Sequence, residues 1–218
     1  MNEKSVSSRM HSMTEPSTEY NELVDEYKGL HKDPTMFPGK SVLKYTHYIR
    51  SILKDNKCKT LLDYGSGKGY LYEADHPYTK KKLTKPLNKF WNLNSVTCYD
   101  PGVEKFSKLP EGVFDAVIAV DVMEHVPTED AEWVLDKIMG YSSKAVFLNI
   151  ACYEALKTFK NGKNVHVSVH SPEWWMDLLN KVWKNGHHEW TTIHVTFEEV
   201  EERFVSSGIF KTNVLYSH

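Results

Sequence analysis

Residues 60–69, Thr-Leu-Leu-Asp-Tyr-Gly-Ser-Gly-Lys-Gly, constrain this chain more than any other stretch. Thr60, Leu61 and Leu62 read as a short apolar strand with Asp63 at its carboxyl end, and Gly65, Gly67 and Gly69 alternate through the turn that follows. Glycines there supply backbone angles that other residues avoid and let the main chain lie flat against a ligand. Open α/β sheets bind ligands in the crevice beyond the carboxyl ends of their strands. The strand–acid–glycine order therefore predicts an α/β fold with a nucleotide-like cofactor at this turn. Spacing narrows the choice. A dinucleotide fingerprint fails because Tyr70 stands three residues after Gly67, and a P-loop fails because Gly69 follows Lys68 where Ser or Thr is required. What remains is D-x-G-x-G-x-G, whose acid suits a ligand with a positive amine and repels a pyrophosphate.

The rest of the chain supports an alternating α/β order. Tyr20, Leu23, Val24, Tyr27 and Leu30 recur at helical spacing, predicting a helix over roughly 19–30 after a Ser/Thr/Glu/Lys-rich flexible arm at 1–18. Ser41 reads as the cap of a second helix with Val42, Tyr45, Ile49, Ile52 and Leu53 inward. These two helices either lie over the cofactor crevice or cover one face of the sheet. Residues 76–92 carry Lys80, Lys81, Lys82, Lys85 and Lys89 and read as a solvated loop or an electrostatic site for an anionic substrate. A second strand, Ser95–Tyr99, ends at Asp100. Only 13 residues, 101–113, separate Asp100 from the next strand, so the third strand of a doubly wound sheet is shortened or missing.

Phe114–Val120 is a continuous apolar run, as expected of a strand buried on both faces. It leads into Asp121-Val122-Met123-Glu124-His125-Val126-Pro127. A helix over about 128–140 and a buried strand over 145–150 follow, and then a long irregular segment, 153–170, with His166 and His170. Ser171-Pro172-Glu173 starts a helix bearing Trp174, Trp175, Leu178, Leu179 and Val182. Residues 189–195 alternate as a strand, Thr196 reads as the cap of a helix ended by Gly208, and 209–216 reads as a last strand able to insert antiparallel.

In combination, the glycine turn, Asp100 and the Asp121-to-Pro127 element resemble motifs of the class I S-adenosylmethionine-dependent methyltransferases. The likeness covers roughly residues 40–195. Asn161-Gly162 through Glu173-Trp174-Trp175 is also similar to a bacterial and phage subgroup of unassigned substrate. The resemblance implies a Rossmann-like, doubly wound, mostly parallel sheet with an antiparallel last strand, in a single domain over 19–218 with an N-terminal helical extension. It also implies S-adenosylmethionine as cofactor, held by Asp63, Tyr64, Gly65, Ser66, Gly67, Gly69, Asp100, Pro101, Asp121 and Val122. Asp100 takes the ribose hydroxyls. Adenine contacts stay open because the third-strand region is compressed.

Methyl transfer to a hydroxyl needs the acceptor positioned and its proton removed, and histidine is the usual group for that near neutral pH. The candidates are His125, with Glu124 beside it, His166 and His170. The rival role is metal binding. Asp121, Glu124, His125 and His166 offer mixed carboxylate and imidazole ligands of the kind that suit Mg²⁺, Mn²⁺ or Zn²⁺. The arrangement is similar to ubiquinone-pathway O-methyltransferases and small-RNA 3′-terminal 2′-O-methyltransferases, which carry E-x-x-E-H here. Asp121 shortens one ligand arm by a methylene, which tips the sequence reading toward a metal-free site.

The acceptor expected is a hydroxyl of a small molecule or glycan. The alternatives are RNA or another nucleic acid, docked through Lys80–Lys89, and a catalytically silent cofactor-binding protein. A net charge of −2 demands no nucleic acid as partner and excludes no local basic patch. No run reaches the ~20 apolar residues of a membrane span, and the amino terminus lacks a signal peptide's apolar core. Three cysteines without metal-type spacing read as free thiols, and the expected location is cytoplasmic.

Overall fold

The computed structural model describes residues 15–186, 191–200 and 210–216. Six strands form one sheet: β1 (Thr60–Tyr64), β2 (Ser95–Tyr99), β3 (Phe114–Val120), β4 (Ser142–Ala151), β5 (Thr192–Val200) and β6 (Phe210–Tyr216), in the order β2-β1-β3-β4-β5-β6. The first five pair in parallel throughout. This Rossmann-like α/β sheet has helices on both faces, and successive strand residues explain why. Leu62, Val117, Ala119, Val146, Leu148 and Ile150 point to one side, where α5 (Ala131–Gly140) and α6 (Pro172–Asn185) pack through Val134, Leu135, Ile138, Trp175 and Leu179. Leu61, Ala116, Ile118 and Phe147 point to the other and meet Ile49, Ile52 and Leu53 of α2 (Thr46–Asp55). A strand covered on both faces buries nearly every side chain, which is why β3 reads as an unbroken apolar run.

Several sequence expectations are corrected. Of the two alternatives for the third strand, shortened or missing, the first is wrong and the second holds: residues 101–113 make one 3₁₀ turn, Glu104–Phe106, and β2 is the edge of the sheet. The last strand does not insert. β6 runs antiparallel along the outer side of β5. Thr196 does not cap a helix, because β5 continues to Val200 and Val195 and Phe197 alternate into the core. Its hydroxyl accepts instead from Asn149 Nδ2 at 3.1 Å. Most of the helix expected after Thr196, residues 201–209, lies outside the described residues. Ser41 does not cap α2; it sits in a 3₁₀ turn, Lys40–Tyr45, with its hydroxyl directed at the site below. The lysine-rich stretch folds into two short helices, α3 (Pro77–Lys82) and α4 (Leu87–Phe90), where a loop was expected.

Helix α1 (Thr18–His31) is the N-terminal extension, and it is pinned. Ser17 Oγ accepts from the Tyr20 N–H at 3.0 Å and donates to Asp130 Oδ2 at 2.6 Å, while the Ser17 N–H donates to Asp130 Oδ1 at 2.8 Å. Asp130 is fully buried. Of the arm expected at 1–18, Ser17 and Thr18 are therefore fixed, and residues 1–14 lie outside the described residues. No helix among the described residues is long and apolar enough to cross a membrane.

Candidate functional site

A cavity of about 760 Å³ opens beyond the carboxyl ends of β1, β2 and β3. Its floor includes Asp63, Tyr64, Gly65, Ser66, Gly67, Asp100, Pro101, Asp121 and Val122, so nine of the ten expected cofactor residues line one space. Gly69 does not. A Cβ there would stand 3.1 Å from Cys98 Sγ and from the Phe106 ring, so its role is packing behind the turn. Gly67 (φ +57°) serves both conformation and close approach, since a Cβ would meet Phe37 O at 2.4 Å. The 33–39 loop thus rests directly on the glycine turn, and the Lys68 N–H donates to Phe37 O at 3.0 Å. Lys68 Nζ donates to Asp33 O at 2.8 Å and Met36 O at 2.5 Å, which spends that cation on holding the loop.

The two strand-end acids are held differently. Asp63 accepts from Tyr72 Oη at 2.7 Å, and burial pushes its carboxyl up to about 7, against the pull of that hydrogen bond. Asp100 accepts from the Gly67 N–H (2.8 Å) and the Gly102 N–H (2.9 Å), one on each oxygen. Each carboxylate oxygen has a second lone-pair site, so both retain capacity toward a diol. Burial raises the Asp100 carboxyl, opposed first by the nearby His31 ring.

The far end of the cavity holds the other cluster. Ligand atoms of Asp121, Glu124, His125 and His166 all lie within 4.8 Å of one another. Asp121 adopts φ +63°, a left-handed backbone that costs a non-glycine residue about 1–2 kcal/mol and recurs at functional sites. Its carboxylate accepts from Ser41 Oγ at 2.9 Å. Partial desolvation raises that carboxyl, but His125, Glu124, Ser41 and His166 outweigh it and hold it below its ordinary value. Glu124 is fully buried and not on the cavity wall; Oε1 accepts from the Ala151 N–H at 3.0 Å, and no donor among the described residues reaches Oε2. Burial and the adjacent Asp121 carboxylate push the Glu124 carboxyl well up.

The histidines share one arrangement. His125 Nδ1 lies 2.8 Å from Val165 O, and His166 Nδ1 lies 2.6 Å from Tyr153 O. A carbonyl only accepts, so both Nδ1 atoms carry the proton and both Nε2 atoms keep a lone pair. Burial and His166 push His125 down to about 4, which keeps it neutral and a weak base. His170 stands apart, stacked on Trp174 at 3.8 Å with Nε2 2.8 Å from Thr128 Oγ1.

Helix α1 roofs the cavity with Tyr20, Leu23, Val24, Tyr27 and His31. Of the two placements open from sequence, the crevice is the one α1 takes, while α2 covers a sheet face. Tyr27 was not singled out from sequence. Its hydroxyl donates to Val165 O at 2.9 Å and lies 2.7 Å from His125 Nδ1. Its only early signal was an inward position in the helical pattern of α1. The lysine run divides: exposed Lys81 and Lys82 line the cavity mouth, whereas Lys80 pairs with Asp75 and Lys85 lies over Phe90.

No family model, curated protein or solved structure matches this chain.

Proposed function

We propose that this protein transfers a methyl group from S-adenosylmethionine to a hydroxyl acceptor, with a divalent cation at Asp121, Glu124, His125 and His166. One observation carries the reading: a single cavity joins the strand-end acids Asp63 and Asp100 to the carboxylate–imidazole cluster. The cavity suits such a cofactor. Asp63, Asp100 and Asp121 line it beside the glycine turn, while its lining lysines, Lys40, Lys81, Lys82 and Lys157, are all exposed, so the strand-end floor favours a cationic ligand over a pyrophosphate. Asp63 would hold the ammonium group, and Asp100 would accept from the ribose hydroxyls. Bound S-adenosylmethionine supplies an electrophilic methyl group on sulfur.

Asp121's short arm argued against a cation, but the supporting contacts favour one. Metal-ligating histidines usually donate their second ring N–H to a carbonyl or carboxylate, which fixes the tautomer and aims the other nitrogen. His125 and His166 both do so. A donor-less, buried Glu124 Oε2 beside Asp121 is costly unless a proton or a cation compensates it. A bound divalent cation would acidify a hydroxyl coordinated to it. The residues' own work is positioning: α1 and Tyr153, Ala155, Val165 and His166 wall the space in which the acceptor would lie.

A nucleic-acid acceptor is the second reading, favoured by Lys81 and Lys82 at the mouth of this same cavity. Methyl-labelled cofactor, incubated with the full chain, Mn²⁺ and separate pools of metabolites, glycans and RNA, tests both readings. Transfer to a hydroxyl compound that stops with chelator is expected. Formation of no S-adenosylhomocysteine with any pool would leave only a silent binding protein.

A further inference from the structure

We propose that helix α1 forms the adenine wall of the cofactor site, with the His31 imidazole as its polar contact to the base. The inference rests on the S-adenosylmethionine reading above. With Asp100 on the ribose, the base must lie beside Pro101 and Gly102. Among the described residues nothing from beyond β2 shields that position, because β2 is the sheet edge and 104–106 is one turn. Helix α1 supplies the missing wall. Tyr20, Val24, Tyr27 and His31, spaced four, three and four residues apart, fall on one helical face, and all four line the cavity.

His31 is placed for recognition. Its side chain is 8% exposed, and its Nε2 lies 3.7 Å from Asp100 Oδ1, too long for a hydrogen bond. Its Nδ1 is buried without a partner among the described residues. A buried ring nitrogen left unpaired is costly, and the cost disappears when a ligand group pairs with it. A neutral imidazole nitrogen either donates to a purine ring nitrogen or accepts from the exocyclic amino group, according to its tautomer, so one such contact to the base edge is available. Gly102 keeps the ring in place: a Cβ there would meet His31 Cδ2 at 2.8 Å. Phe37, with its ring centroid 4.9 Å from that of His31, backs it from the 33–39 loop.

Calorimetric titration of the full chain with two probes tests this. S-adenosylhomocysteine carries the base, and S-ribosylhomocysteine lacks it. Wild type should bind the first far more tightly. His31→Ala should weaken S-adenosylhomocysteine about tenfold or more and leave S-ribosylhomocysteine unchanged, and His31→Gln should recover part of the loss. His31→Phe, which keeps a ring at this position but removes both ring nitrogens, should lose affinity for the first probe alone. Melting curves on each variant report folding, and His31→Phe carries the test if His31→Ala unfolds. Equal loss for both probes, no loss in either variant, or tighter binding in His31→Ala would overturn the inference. Wild type that binds neither probe would overturn the cofactor reading itself, and the inference with it.

Discussion

His125 and His166 meet edge to face, with ring centroids 4.8 Å apart and planes at 80°, and each turns Nδ1 to a backbone carbonyl. Both rings are thereby locked in the tautomer that leaves Nε2 free beside Asp121 and Glu124. Tyr27 reinforces this from α1, 98 residues away from His125 in sequence, through its contacts with His125 Nδ1 and Val165 O.

Calorimetry with Mn²⁺ should show one ion bound per chain, and His166→Ala should lose it. Tyr27→Phe should keep the fold and bind Mn²⁺ about 10–100-fold more weakly, the usual effect of removing a group that orients a metal-binding histidine. Unchanged Mn²⁺ affinity in Tyr27→Phe would show that the Tyr27–His125 contact is packing alone.

Asp63 gives a pH prediction with a definite sign. Its carboxyl sits at about 7, above its ordinary value, because of burial. The folded, ligand-free protein therefore holds that proton more tightly than the unfolded chain. The stabilisation is present below about pH 4 and is lost as pH rises to about 7, by at most about 4 kcal/mol. A cationic cofactor prefers the ionised form, so its affinity should rise about tenfold per pH unit up to pH 7 and then level. Asp63→Asn should flatten that profile, stabilise the ligand-free protein at pH 8 and weaken cofactor binding. Titrations at four pH values decide, and a flat wild-type profile would count against Asp63 as the ammonium partner.

Ser17 ties α1 to the body. Ser17→Ala removes a helix cap and one of two hydrogen bonds to buried Asp130, and should cost about 1–2 kcal/mol, read as a lower melting temperature. Cofactor affinity should fall in parallel, since α1 roofs the cavity. A melting temperature equal to wild type would mean that the apolar face of α1 holds it without the latch.

The glycine turn, Asp100 and the Asp121-to-Pro127 element were legible because their chemistry lies in short, contiguous spacings, and β3 because burial on both faces leaves no polar break. The contacts of α1 were not legible. Tyr27 and His31 look like ordinary inward residues of an amphipathic helix, and their partners come from residues 100, 125 and 165, brought close only by folding. Thr196 misled for a local reason. A threonine before Phe-Glu-Glu imitates a helix start, and only pairing with β4 through Ala151 and Glu198 overrides it. Ser41 reads as a cap by composition, but its hydroxyl bonds Asp121, 80 positions away.

If nucleic acid is the acceptor, Lys81→Glu with Lys82→Glu should weaken RNA binding and flatten its dependence on salt, each lost phosphate contact lowering the logarithmic slope by about 0.7–0.9. Cofactor binding should not change. An RNA affinity independent of salt, and of both lysines, would remove this reading in favour of a small acceptor.

Cofactor identity is decided by titrating the full chain with S-adenosylmethionine, with nicotinamide dinucleotide run in parallel. S-adenosylmethionine should bind saturably and one to one, more weakly in Asp63→Asn and in Asp100→Ala, the latter by about 1–3 kcal/mol, and the dinucleotide should not bind. Binding of the dinucleotide with no heat from S-adenosylmethionine, or wild-type affinity in both variants, would contradict the cofactor reading.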